Sequence, residues 1–134
     1  MARAAGEFDV HLVPQAAEPG RDPGLGRMTI DKVFRGDLVG TSQGQMLSAM
    51  SSVEGSGVYV AVERVAGTLK DRAGSFVLHH TGLMKRGQPS LVVLVAPDSG
   101  TGELTGLEGR LDIIIEGKKH SYVLEYSLPP GPER

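Results

Sequence analysis

The chain has no cysteine, no tryptophan and no asparagine among its 134 residues. Without cysteine there can be no disulfide, no thiolate metal site and no cysteine nucleophile. Without asparagine there is no N-glycosylation, and tight hairpin turns must draw on glycine and aspartate. No apolar run approaches the roughly 18 residues needed to span a bilayer as a helix. Basic residues are not in excess: the formal net charge is −2 with both signs interspersed, which leaves no basic face for nucleic acid and no polybasic membrane anchor. The opening segment Met1–Glu7 lacks the apolar core of a signal peptide. A soluble, cytoplasmic protein with neither a nucleic-acid nor a membrane partner is expected.

What the chain does have is glycine, 19 residues of it, with 8 prolines. These punctuate short apolar segments, the pattern of an all-β domain. A composition of 40% apolar and 22% charged residues is ordinary for a globular protein. One domain over residues 1–134 is expected, large enough to bury roughly two thirds of its unfolded surface. The predicted strands are Glu7–Val13, Arg27–Phe34, Leu38–Met50, Val58–Ala66, Ser75–Met84, Ser90–Ala96, Leu104–Ile115 and Ser121–Leu128. By propensity alone Gln43–Met50 could form a turn of helix. The glycine-rich run Ala96–Asp112 superficially suggests a phosphate-cradling loop. It lacks the Lys-Ser/Thr pair and the helix that such a loop needs, and a β-branched strand follows it, so it reads as a strand-to-strand connection.

Phe8, Val10 and Leu12 alternate with Glu7, Asp9 and His11, so the first strand is buried on one face only. Val58–Val62 and Leu91–Ala96 are apolar on both faces and need an outer cover. The tail 129–134 is short, polar and broken by proline, which makes it a poor cover, so a homo-oligomer is expected. Eight antiparallel strands with mostly short turns favour an up-and-down barrel, which also removes exposed sheet edges. A two-sheet β-sandwich is the alternative. In a meander, Pro14–Leu25, Ser51–Ser56, Lys85–Pro89 and Glu116–Lys119 gather at one end, with the proline-rich Pro14–Leu25 placed as a lid over one mouth. Eight strands leave room inside for side chains or for one small ligand.

Several separated segments resemble a known family. They are Lys32–Leu38, Glu63–Gly67, Gly74–Gly82 (Gly-Ser-Phe-Val-Leu-His-His-Thr-Gly), Pro97–Leu104 with Gly109, and His120–Pro129. In this order they resemble the bacterial family numbered 3224 among domains of unknown function, over nearly the whole chain. That family is similar in fold to the allene oxide cyclases, plant enzymes that cyclise an unstable fatty-acid epoxide. The resemblance implies an eight-stranded, calycin-like barrel with an inner cavity, and a trimer by analogy with those enzymes. It carries over no catalytic residue. Lipocalins share the general architecture, but their early Gly-x-Trp is missing here.

His79 and His80 are adjacent in a strand and point to opposite faces, so they cannot chelate one metal together. His80 shares a face with Phe76 and Leu78 and is expected inside, with His79 outside; no metal and no cofactor is expected. Tyr122, Leu124 and Tyr126 form the apolar face of the last strand and turn Glu125 outward. Glu63 shares a face with Tyr59 and Ala61, but both faces of its strand are apolar. A rim or interface ion pair is the favoured reading for it, against burial with Lys32 as partner. By height, Met28, Ile30, Tyr59, His80 and Tyr122 are all expected near the proline-rich mouth. Polar tips on a largely apolar wall suit a small-molecule pocket, giving Met28, Lys32, Tyr59, His80, Tyr122 and Tyr126 as candidate binding residues. Three functions remain open: a binder of a small, largely apolar molecule; a cofactor-free isomerase or cyclase using His80 or Glu63 as acid or base; and a barrel whose packed core serves assembly only.

Overall fold

The computed structural model describes residues 1–130, and all its strands belong to one closed antiparallel barrel in chain order. The strands are β1 (Ala2–Pro14), β2 (Leu25–Gly36), β3 (Leu38–Met50), β4 (Gly57–Leu69), β5 (Arg72–Lys85), β6 (Gln88–Val95), β7 (Glu108–Glu116) and β8 (Lys119–Ser127). The all-β barrel is therefore the fold, and the sandwich is not. Residues 131–134, most of the tail considered above as a cover, lie outside the described residues. No helix among the described residues is long and apolar enough to cross a membrane.

Several strands run further than their apolar patterns suggest. β1 begins at Ala2, because Ala2–Phe8 pairs with His120–Tyr126 and closes the barrel. The expected connection Gly67–Gly74 is instead strand, with Gly67 opposite both Gly40 and Gly74. A Cβ at Gly67 would lie 2.7 Å from Gly40 Cα, so these glycines answer a close backbone approach, not a turn. The turn itself is Lys70-Asp71, where Lys70 takes φ 53°. Gln43–Met50 is strand throughout. The glycine-rich run does connect two strands. However, Leu104 sits in a single 3₁₀ turn (Gly102–Leu104), and β7 starts only at Glu108.

All six Phe and Tyr side chains point into the barrel. Its lower half, the end holding the β2–β3, β4–β5 and β6–β7 connections, is filled solid. Phe34, Leu38, Val65, Leu69, Phe76, Leu104, Leu107 and Leu124 form one buried cluster there. Phe34 packs at a tilt against Phe8 and meets Tyr122 edge-on, both at 5.6 Å between ring centroids. The upper half is different. β6 and β7 are joined by the single pair Leu94–Arg110, and above it they part. Leu12, Leu91 and Ile115, which face inward by alternation, reach solvent at this upper end.

Candidate functional site

Between the packed base and the apolar mouth lies a belt of polar side chains on four consecutive strands. On β2, Met28, Ile30, Lys32 and Phe34 share the inward face, which carries Lys32 inside. Lys32 stands opposite Ser42 on β3. Gly44, two residues on, stands opposite Glu63 on β4. A Cβ on Gly44 would come within 2.6 Å of Glu63 Cβ, so the glycine is what makes room for the carboxylate. On β5, His80 lies beside Ala61 and presents its ring to the same layer. Lys32, Ser42, Glu63 and His80 are all buried, and Glu63 is 0% exposed.

Glu63 is therefore not the rim or interface ion pair that the sequence favoured. Its partner is the alternative that the sequence offered. Lys32 Nζ lies 2.9 Å from Glu63 Oε2 and donates a 3.2 Å hydrogen bond to Oε1. The ammonium also sits 5.0 Å from the centre of the Phe8 ring, a cation–π distance. On the other side His80 Nε2 approaches Glu63 Oε2 at 3.4 Å. Burial pushes the Glu63 carboxyl up; contact with His80 and the charge of Lys32 outweigh this and hold it below the ordinary carboxylate range. The carboxylate thus stays ionised inside the barrel.

The belt is not satisfied by the protein's own groups. Ser42 Oγ, Glu63 Oε2 and His80 Nε2 are buried atoms without a hydrogen-bond partner among the described residues. Glu63 Oε2 does have the Lys32 ammonium at 2.9 Å and His80 Nε2 at 3.4 Å, so Ser42 Oγ is the atom left without any polar contact and His80 Nε2 is held only by that long one. Buried polar atoms are paired in nine cases out of ten or more, so an unpaired Ser42 Oγ and a weakly held His80 Nε2 in one layer need a reason.

Above the belt, Tyr59 is half-buried, with its ring 6.3 Å from that of His80. The ring also covers Gly82, where any Cβ would collide with it. Burial, then the charge of Glu63, push the Tyr59 phenol up, so it is a neutral hydrogen-bonding group at physiological pH. Met28 and Met46 face each other across β2 and β3 at the same level.

Two expected site residues lie elsewhere. The Tyr122 hydroxyl is at the opposite, packed end, where it accepts a 2.9 Å hydrogen bond from Leu38 N–H and donates to the Arg35 carbonyl at 2.9 Å. It ties down the β2–β3 turn and does not line the mouth. Tyr126 is lower still, paired with Ala2 and Gly109. The proline-rich loop also departs from expectation. Its residues share a groove with outward-facing Arg27 and Leu47, so it leans over the outside of β2 and β3 instead of lidding the barrel. The structure thus gathers Lys32, Glu63 and His80 in the belt with Met28 and Tyr59 just above it, and separates Tyr122 and Tyr126 from them. Ser42 was absent from the sequence reading. Its strand reads Gly-Thr-Ser-Gln-Gly-Gln and offers no apolar alternation, so only the pairing of Lys32 with Ser42 identifies it.

The family model for a protein of unknown function (DUF3224) matches residues 4–126. A crystal structure of a protein with unknown function from the DUF3224 family of Shewanella oneidensis MR-1, at 1.84 Å resolution, is similar over almost its whole length. The two share 49% sequence identity with a TM-score of 0.89, covering 98% of this chain and 99% of that one. A comparison with curated proteins gives no match.

Proposed function

The chain belongs to the DUF3224 family, whose function is unknown, and on that footing we propose that the upper half of the barrel binds a small, largely apolar molecule with one polar group. The observation that carries this reading is the belt itself. An ion pair with orphaned polar neighbours is an expensive way to fill a barrel, and apolar side chains of similar volume would be at least as stable. Such a cost is typical of functional sites.

The chemistry of the belt narrows the polar group. Lys32 and Glu63 cancel in charge, so a neutral group fits better than an ionised one. A carbonyl or hydroxyl can bond Ser42 Oγ and His80 Nε2 at once. The apolar remainder would rest against Met28, Met46 and Tyr59, with the opening between β6 and β7 as its way in.

A thermal-shift screen tests this. A panel of medium-chain ketones, alcohols and matching carboxylates is added to the wild type, and to His80→Ala and Ser42→Ala variants. A ligand at 100 times its Kd stabilises the native state by about 2.7 kcal/mol. Neutral members should raise Tm in the wild type, and less in both variants. A panel without any shift, or shifts equal in all three proteins, would refute the reading.

The Glu63–His80 contact also favours a second reading, a cofactor-free isomerase or cyclase. A carboxylate beside an imidazole can move a proton next to a bound carbonyl in a water-poor site. Deuterium uptake at the α-carbon of a bound ketone, lost in Glu63→Gln, is the expected sign; wild-type uptake no faster than buffer counts against it.

A further inference from the structure

The outside of the barrel is divided in two. On β7, β8, β1 and β2 the outward positions are dense in charge, with Asp9 and Arg35 paired at 2.6 Å and Lys119 and Glu7 at 3.3 Å. On β3 to β6 they are not. Register aligns three rows across these four strands: Ala49–Val58–Leu83–Ser90, Leu47–Val60–Thr81–Val92 and Gln45–Val62–His79–Leu94. None of these twelve positions is an acid, a lysine or an arginine. Charge rims the grid: Arg27 stands opposite Leu47 and hydrogen-bonds Gln45, Arg110 stands opposite Leu94, and Arg64 and Lys85 sit one outward position beyond Val62 and Leu83. Val62 is 58% exposed, Leu47 54% and Val60 46%.

We infer that this face is the interface of a homodimer, each barrel covering the other's β3–β6 flank around a two-fold axis. Size supports it. Four strands about 4.8 Å apart and three rows about 6.7 Å apart give a flat footprint of roughly 400 Å². With protruding side chains and a rim of Arg27, Arg64 and Lys85, this approaches the roughly 600 Å² per partner at which specific interfaces begin.

Chemistry selects the occupant. A two-fold axis sets the same face on itself, so like charges near the axis would meet, and the twelve grid positions hold no acid, lysine or arginine. β-Branched side chains on a regularly twisted sheet interdigitate best with another such sheet, and face-to-face packing at about 10 Å is how sheets bury one another. The partner guaranteed to carry a matching sheet is a second copy of this chain. The inference is independent of the proposed ligand site, since the grid lies on the other surface of the sheet.

Size-exclusion chromatography with light scattering tests it on the full chain at micromolar concentration. The expected mass is 28.4 kDa, twice the 14.2 kDa of one chain. Val60→Glu and Val62→Glu place carboxylates against each other and should raise the dimer dissociation constant at least about 100-fold, giving 14.2 kDa particles. Val33→Glu, equally exposed but on the charged flank, should leave the dimer intact. Far-ultraviolet circular dichroism of each variant confirms the barrel. A wild type of one-chain mass up to the highest soluble concentration overturns the inference. So do Val60→Glu and Val62→Glu variants that remain dimeric, a Val33→Glu variant that dissociates, or a one-chain particle that instead co-floats with neutral lipid vesicles.

Discussion

Replacing Lys32 by methionine isolates the cost of the buried ion pair. Methionine keeps an unbranched apolar side chain and removes the ammonium together with its contact to the Phe8 ring, leaving Glu63 with His80 as its remaining buried neighbour at 3.4 Å. The side chains of Lys32 and Glu63 are 5% and 0% exposed, so water cannot take over the lost contact. Breaking such a pair from one side costs about 3–5 kcal/mol. For a domain of this size that corresponds to a fall in Tm of roughly 10 °C or more. Urea unfolding at pH 7 followed by circular dichroism measures it. The pH dependence carries the sign. In the wild type the Glu63 carboxyl lies below its ordinary 4.5 in the folded state. Its stabilisation is present above that value and is lost as pH falls through the folded pKa. In Lys32→Met the ammonium is gone while burial and the His80 contact remain, so the carboxyl is held down less and its ionised form is stabilised less in the folded state. The deficit of the variant is then largest at neutral pH and narrows towards pH 4.5. The double variant Lys32→Met/Glu63→Gln removes the charge altogether and should recover most of the loss. A single variant that loses less than about 1 kcal/mol, or a double variant no better than the single, refutes the argument that the belt holds a desolvated charge pair.

Three further changes have defined outcomes. Tyr122→Phe leaves the buried Leu38 N–H without its acceptor and should cost about 1–3 kcal/mol in urea unfolding, with no effect on ligand-induced shifts. Gly44→Ala forces backbone and Glu63 apart from a 2.6 Å approach and should cost about 1–3 kcal/mol; the crystal structure of the variant should show Glu63 displaced from Lys32. Ser42→Ala removes an orphaned buried hydroxyl, so its stability should stay equal or rise by up to about 1 kcal/mol while the response to a neutral ligand falls.

How much of this could be read in the sequence depended on the strand. β2 was legible: Met28, Ile30, Lys32 and Phe34 have one parity, and three apolar residues commit the fourth to the interior. His80 was legible for the same reason, flanked by Phe76 and Leu78. Tyr122 was placed on the correct face but at the wrong height. Distance from the strand start gives height only where all strands begin level. Closure of the barrel staggers them: His120, the second residue of β8, stands opposite Phe8, midway up β1. Tyr122 then falls opposite Gly6, close to the β2–β3 turn, and a tyrosine is long enough to reach that turn's backbone. Register of this kind depends on the shear of the closed sheet, which no single strand encodes.

Glu63 resisted reading for a reason that bears on function. Near the mouth β4 carries Tyr59, Ala61 and Glu63 inward and Val58, Val60 and Val62 outward, so its more apolar face is the outer one. β3 behaves alike, with Ser42 and Gly44 inside and Leu47 outside. The usual pattern of apolar inside and polar outside is inverted over this part of the sheet. A lone barrel gains nothing from the inversion: it would bury an ion pair that hydrophobic side chains could replace and expose valines that charge could replace. Both costs fall on the same strands, and each needs its own compensation. Inside, a neutral polar group of a bound molecule can bond Ser42 and His80. Outside, the flank of a second barrel can cover Val58, Val60 and Val62. The two are separable, because Val62→Glu acts on one surface of β4 and Ser42→Ala acts on the other side of the sheet. Each should move one readout and leave the other in place.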